Sequence, residues 1–165
     1  MQIRLLEHED AHAFLTLNHQ LDGDTQMMLL EPNERTTTVE QIQHRIEFTV
    51  QQDNEVVFVA EVDGSLVGYA SVIGGRLRRT AHKASIVTGV LQSHVGRGIG
   101  SKMFETLIEW ATISPLHRLE LTVMTHNSPA IALYQKFGFQ IEGTKRHSLK
   151  VAGTYVDEYI MARVL

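Results

Sequence analysis

Val90-Leu91-Gln92-Ser93-His94-Val95-Gly96-Arg97-Gly98-Ile99-Gly100-Ser101-Lys102-Met103-Phe104 is the stretch whose reading decides the fold. The residues leading into it, Ala84 to Leu91, are apolar and β-branched, as a half-buried strand requires. The residues leaving it place Ile99, Met103, Phe104, Leu107, Ile108 and Ala111 at helical spacing, on one apolar face. Between them, three glycines at alternate positions let the backbone turn sharply and expose its amides. At a helix N-terminus those amides lack internal partners and the dipole is positive, so the strand-turn-helix reads as a cradle for a phosphate or pyrophosphate. A nucleotide-triphosphate loop needs Lys directly after its last glycine, whereas Gly100 is followed by Ser101. A dinucleotide fingerprint needs wider glycine spacing and a place at the first strand of its unit.

Twenty-seven residues beyond Gly100 comes Asn127-Ser128-Pro129-Ala130-Ile131-Ala132-Leu133-Tyr134-Gln135-Lys136-Phe137-Gly138-Phe139. Joined to Gly96-Arg97-Gly98-Ile99-Gly100, this resembles the GNAT superfamily of acyl-CoA-dependent N-acyltransferases, over roughly Val56 to Leu165. The resemblance implies an α/β fold in which one mixed, mostly antiparallel, twisted sheet of about seven strands is flanked by helices, with splayed central strands at the cofactor site. It implies acetyl-CoA as co-substrate. Val90 and Leu91 would meet the pantetheine arm, and Gly96, Arg97, Gly98, Gly100 and Ser101 the pyrophosphate. Asn127 and Tyr134 would also touch the cofactor. One departure stands out: three residues before Gly98-Ile99-Gly100, where the family usually carries Gln or Arg, this chain has Val95.

The remaining sequence fits one domain over 1–165. There is no cysteine, which excludes disulfides and a thiol nucleophile within the chain. No apolar run approaches the length of a membrane span, and no long apolar core follows Met1, so a cytoplasmic protein is expected. Residues 1–63 hold 13 acids against 3 arginines, and the rest 6 acids against 12 bases. That asymmetry suits an anionic cofactor on one half and a cationic substrate on the other, and argues against nucleic acid as a main partner.

In chain order, the pattern predicts a strand over 2–7, a helix over 8–21 and an apolar stretch, Met27 to Arg35, that runs into a turn. Thr37 as N-cap with Glu40 at N3 starts a second helix to about Gln51. Strands over 55–62 and 65–74 flank a hairpin at Asp63-Gly64. A basic loop, Arg76-Leu77-Arg78-Arg79, precedes the central strand. A strand over 118–125, a helix capped by Ser128 with Pro129 at N1, and strands over 139–147 and 153–164 complete the chain.

N-acyl transfer needs a held thioester, a neutral amine, donors to the oxyanion and a proton for the leaving thiolate. By the resemblance, Tyr134 supplies that proton and a backbone N–H near Val90 meets the oxyanion. The amine must lose a proton before attack; Glu120, Glu31, His82 and His126 are all open as its base, directly or through water. The residues between the first two helices line the acceptor site in this family, which makes Glu31 and Glu34 the expected contacts of the acceptor amine. Asp157 and Glu158 could shape the same pocket, but hydrogen-bonded surface carboxylates are the expected reading for both. His8 and His12 share a helical spacing, but without thiolates or an H-E-x-x-H run no metal is expected. The function so reached is acetyl transfer to a primary amine of an amino acid, polyamine or amine antibiotic. A protein N-terminus or lysine is the alternative acceptor, and a non-catalytic acyl-CoA sensor the alternative class. The resemblance, and not any residue, makes the two closing strands a possible homodimer edge.

Overall fold

The computed structural model describes all 165 residues. Its strands are β1 (Gln2–Leu5), β2 (Val56–Val62), β3 (Ser65–Gly74), β4 (Lys83–Val90), β5 (Arg118–Met124), β6 (Gln140–Val151) and β7 (Thr154–Val164). Its helices are α1 (Ala11–Asp24), α2 (Val39–Val50), α3 (Ile99–Ile113) and α4 (Ser128–Lys136). The strands form one sheet in the order β1-β2-β3-β4-β5-β7-β6, antiparallel throughout except for β4 beside β5. This is the mixed, mostly antiparallel seven-stranded sheet that the sequence led us to expect.

Side chains alternate across the sheet, so each face has its own core. Phe58, Ala60, Ala70, Val72, Ala84 and Ile86 pack with Met103, Phe104 and Leu107 of α3 in the larger cluster. Val59 and Tyr69 turn to the other face and pack with Leu17 and Leu21 of α1 and Ile42 and Ile46 of α2. The glycine turn and α3 therefore lie on one face, and the acidic N-terminal helices on the other.

Several boundaries differ from the sequence reading. Residues His8–Asp10 form a 3-10 turn ahead of α1, because the Asp10 carboxylate accepts from Glu7 N–H at 2.9 Å and from Arg4 at 2.6 and 2.9 Å. Helix α1 then runs through Gly23 to Asp24. The capping box of α2 is one residue later than expected: Thr38 accepts from Gln41 N–H, and the Gln41 side chain accepts from Thr38 N–H. Gln serves at N3 as well as Glu. The cap of α4 is Asn127, whose side-chain oxygen accepts from Ala130 N–H at 3.3 Å, and Ser128 is the first helical residue. Strand β6 continues four residues past His147, across an irregularity between Lys145 and Leu149. There His147 takes φ 49°, and its N–H bonds to Asp157 Oδ1 at 2.7 Å.

Candidate active site

The parallel pairing of β4 and β5 is short. Lys83, Ala84 and Ser85 meet Arg118, Leu119 and Glu120, and beyond them the two strands part while β4 stays paired with β3 through Val90. Successive residues of a strand turn their backbone groups to opposite edges. Lys83 C=O accepts from Gly75 and Leu91 N–H donates to Val67, both on the β3 side, while His82 C=O accepts from Arg118 on the β5 side. Even-numbered residues of β4 therefore face β5, and the peptide groups of Thr88 and Val90 point into the gap. Leu91 is different. Its N–H is held by Val67 at 2.9 Å and its C=O by His94 at 2.8 Å, so only its side chain remains for a ligand.

The turn after β4 keeps a run of free donors. A 3-10 turn at Gln92–His94 leads to Gly96 and Gly98, both at φ 79°, a region open to glycine and strained for other residues. The first internal bond of α3 is Lys102 N–H to Gly98 C=O. The amides of Gly96, Arg97, Gly98, Ile99, Gly100 and Ser101 have no acceptor in the protein. Six successive free N–H groups at the positive end of a 15-residue helix suit an anion with several oxygens. No carboxylate lies within the run. Arg97 has no ion-pair partner, and Lys136 Nζ reaches Ser101 Oγ from α4 at 3.3 Å. A Cβ on Gly100 would sit 3.1 Å from Leu133, so the glycine also lets α3 and α4 approach. Val95 is half exposed at the turn and brings no polar group to it.

Tyr134, on α4, is 7% exposed, with its ring 5.2 Å from Phe104 and 6.2 Å from Phe139. Its hydroxyl has no hydrogen-bond partner. Thr49 Oγ1 is the only fully enclosed side-chain polar atom without one, so the Tyr134 oxygen opens to accessible space. Burial pushes this phenol up to about 12. Asn127 spends its oxygen on the cap, and its Nδ2 donors are left free.

On the opposite face, a cavity of about 380 Å³ lies against the end of β5. Its walls are the α1 terminus and following loop (Asp22 to Pro32), Met124 of β5, and Leu149 to Ala152 of the β6–β7 turn. Its wall reaches β4 through Met28: a Cβ on Gly89 would meet Leu21 at 3.0 Å and Met28 Sδ at 3.4 Å. Glu31 lines this cavity with a carboxylate that has no partner, whereas Glu34 turns back to accept Glu31 N–H at 2.8 Å. Asp22 is paired with Arg35 at 2.7 and 2.9 Å, and Asp24 accepts from Gln92 N–H at 2.6 Å.

Glu120 sits elsewhere. It is bonded to Lys83 at 2.9 Å and Arg118 at 3.0 Å, and Arg118 continues to Glu142. Burial alone would raise its carboxyl, but the two cations outweigh that and hold it below its usual range. It is paired with Ser85, five residues short of Val90 and so roughly 16 Å along the strand. A carboxylate so placed and so stabilised is a poor base for an amine at the gap. His82, at the same end of the sheet, is more remote still. His126 lies at the near end but lines a second, open cavity of about 450 Å³ with His147, Tyr155 and Asp157. Glu158 is buried and accepts from Ser148 at 2.5 Å. His8 pairs with Glu47 at 3.3 Å. Helix α4 meets the glycine turn through Leu133 on Gly100 and Lys136 on Ser101, Val90 packs on the same apolar cluster as Tyr134, and Glu31 lies in the cavity on the other face. Met28 falls in the stretch expected to line the acceptor site, whereas Asp22, Asp24 and the β6–β7 turn were missed, since no local motif marks them.

The acetyltransferase (GNAT) family model matches residues 20–139. The chain belongs to the GNAT family. Its L-amino acid N-acetyltransferase relative AaaT of Escherichia coli K12 is 40% identical over 64% of this chain and 66% of that enzyme. The spermidine N(1)-acetyltransferase of the same organism is 25% identical over 94% of this chain and 81% of that enzyme. An acetyltransferase of the GNAT family from Streptococcus pneumoniae superposes with a TM-score of 0.97, at 28% identity over 99% of each chain. As a GNAT protein the chain is an acetyl-CoA-dependent N-acetyltransferase. No helix is long and apolar enough to cross a membrane.

Proposed function

We propose that this GNAT protein acetylates a primary amine of a small, cationic molecule, by direct attack of the amine on the thioester of acetyl-CoA. The observation that carries this reading is the meeting of two features at one gap. Six unpaired amides lead into it from one face, and on the other face an acidic cavity, with the Glu31 carboxylate unpartnered, lies beside it between Met124 of β5 and Met28, which packs on β4.

The N–H groups of Gly96 to Ser101, with Arg97 and Lys136, hold the pyrophosphate. The Val90 peptide bonds the pantetheine arm, and its N–H also donates to the carbonyl oxygen as charge builds there. Asn127 donates from Nδ2. Glu31 receives the acceptor as its ammonium, and a water beside it takes the proton that must leave before attack. The amine nitrogen then bonds to the carbonyl carbon and gives its second proton to water as the carbon–sulfur bond breaks, and Tyr134 donates a hydrogen bond to the coenzyme A thiolate as it departs. Glu120 is left with a structural role, joining the start of β4 to β5. Two of the relatives are named for an amino acid and a polyamine, and both of these acceptors carry an ammonium that the acidic wall would attract.

The test is thiol release from acetyl-CoA with amino acids, spermidine and a peptide bearing a free N-terminus. Turnover with the small amines and none with the peptide supports the proposal. Turnover with the peptide alone moves the acceptor to proteins. Acetyl-CoA binding without turnover on any amine favours an acyl-CoA sensor.

A further inference from the structure

We infer that Asp24 is a positioning residue, a latch through which an occupied phosphate turn fixes the loop that walls the acceptor cavity. This rests on the reading of the Gly96–Ser101 turn as the phosphate site and goes beyond it.

Asp24 is the last residue of α1, and its Oδ2 accepts the Gln92 backbone N–H at 2.6 Å. Gln92 opens the 3-10 turn that leads into the free amides. Its N–H is one of the donors that a helical first turn cannot satisfy internally, so the carboxylate fills a need already present in the chain. The two residues are 68 apart in sequence. No other hydrogen bond joins the N-terminal helices or their loop to this turn.

The loop itself is lightly held. From Thr25 to Glu34 its hydrogen bonds are internal: Met27 N–H to Thr25, Glu31 N–H to Glu34, and Glu34 N–H to Glu31. It is tied down at its two ends, by Asp24 to Gln92 and by Arg35 to Asp22. Between them Met28 packs on Gly89. An anion that orders residues 92 to 101 therefore restrains Asp24 as well, and Asp24 carries that restraint into the wall of the cavity. Binding at one substrate site thereby preorganises the other, and the two affinities must be coupled equally in both directions.

Amide hydrogen exchange on the full chain, with and without coenzyme A, tests this. In the wild type, coenzyme A slows exchange in both 96–101 and 25–34. In Asp24→Ala, protection of 96–101 remains and the added protection of 25–34 falls about tenfold, the scale of one hydrogen bond to a charged acceptor. Asp24→Asn keeps an acceptor oxygen and restores most of it, which separates the latch from a general loosening of α1. Equal protection of 25–34 in the wild type and Asp24→Ala overturns the inference. If coenzyme A leaves 96–101 unprotected in the wild type, the phosphate-turn reading fails instead, and the latch with it.

Discussion

Replacing Tyr134 by Phe isolates one oxygen. The ring stays against Phe104 and Phe139, and the hydroxyl leaves no partner behind because it has none in the protein. The phenol is raised to about 12 by burial, whereas a thiol ordinarily titrates near 8.5. Complete transfer of its proton to a thiolate is then uphill by roughly 3.5 units, or about 5 kcal/mol. That is too much for an acid that must be reloaded each turnover, but it leaves a strong hydrogen-bond donor to developing negative charge. Loss of one such donor costs about 10²-fold to 10³-fold in turnover. We expect Tyr134→Phe to lower kcat by that factor in a thiol-release assay, with the KM for acetyl-CoA changed by less than about threefold. The acid limb of the rate profile, set by deprotonation of the acceptor amine, stays where it was. Two results would refute the reasoning: a kcat within about twofold of wild type, or a wild-type alkaline limb between pH 8 and 10 that vanishes in the variant.

Gly98→Ala forces a side chain onto a φ of 79° in the middle of the free amides, and should raise the KM for acetyl-CoA about tenfold or more while the fold survives. Glu120→Gln should leave turnover within about twofold and lower stability by a few tenths to about 1 kcal/mol in urea unfolding, the scale of a partly exposed ion-pair network. A hundredfold loss of turnover would return it to the chemistry. Asp22→Ala strands Arg35 beside a side chain that is only 2% exposed and should cost about 3 kcal/mol, part of which Asp22→Leu with Arg35→Met recovers. The buried phenols of Tyr69 and Tyr134, both near 12, remain neutral when an unfolded phenol near 10 has ionised. The unfolded state then holds fewer protons, so stability is fully present below pH 10 and falls between pH 10 and 12. Either Phe substitution should flatten that fall, by equilibrium unfolding across this range.

What could be read from the chain was what short segments decide by themselves. The glycine turn, the apolar face of α3, and the Asn127 to Phe139 segment with its glycine stop each carry their own geometry, so the sheet and the turn with its free amides followed from them. Errors of one residue arose where two neighbours offer the same chemistry. Thr37 and Thr38 can both cap, as can Asn127 and Ser128, and only the backbone decides between them. Function at a distance is of another kind. Glu120 looks like a free carboxylate on an alternating strand until Lys83, 37 residues away, is set beside it. Leu91 looks like Val90 until Val67 takes its N–H. The acceptor cavity draws on α1, β5 and the β6–β7 turn, and these meet only because β4 and β5 pair for three residues and then part. No residue type encodes that parting. It follows from what each strand is asked to hold: β4 follows β3 to Val90, while β5 pairs with β7 along its whole length. Two strands each committed to a different neighbour cannot stay together, and the gap between them leaves backbone groups unused by the sheet, which is what the proposed cofactor arm requires.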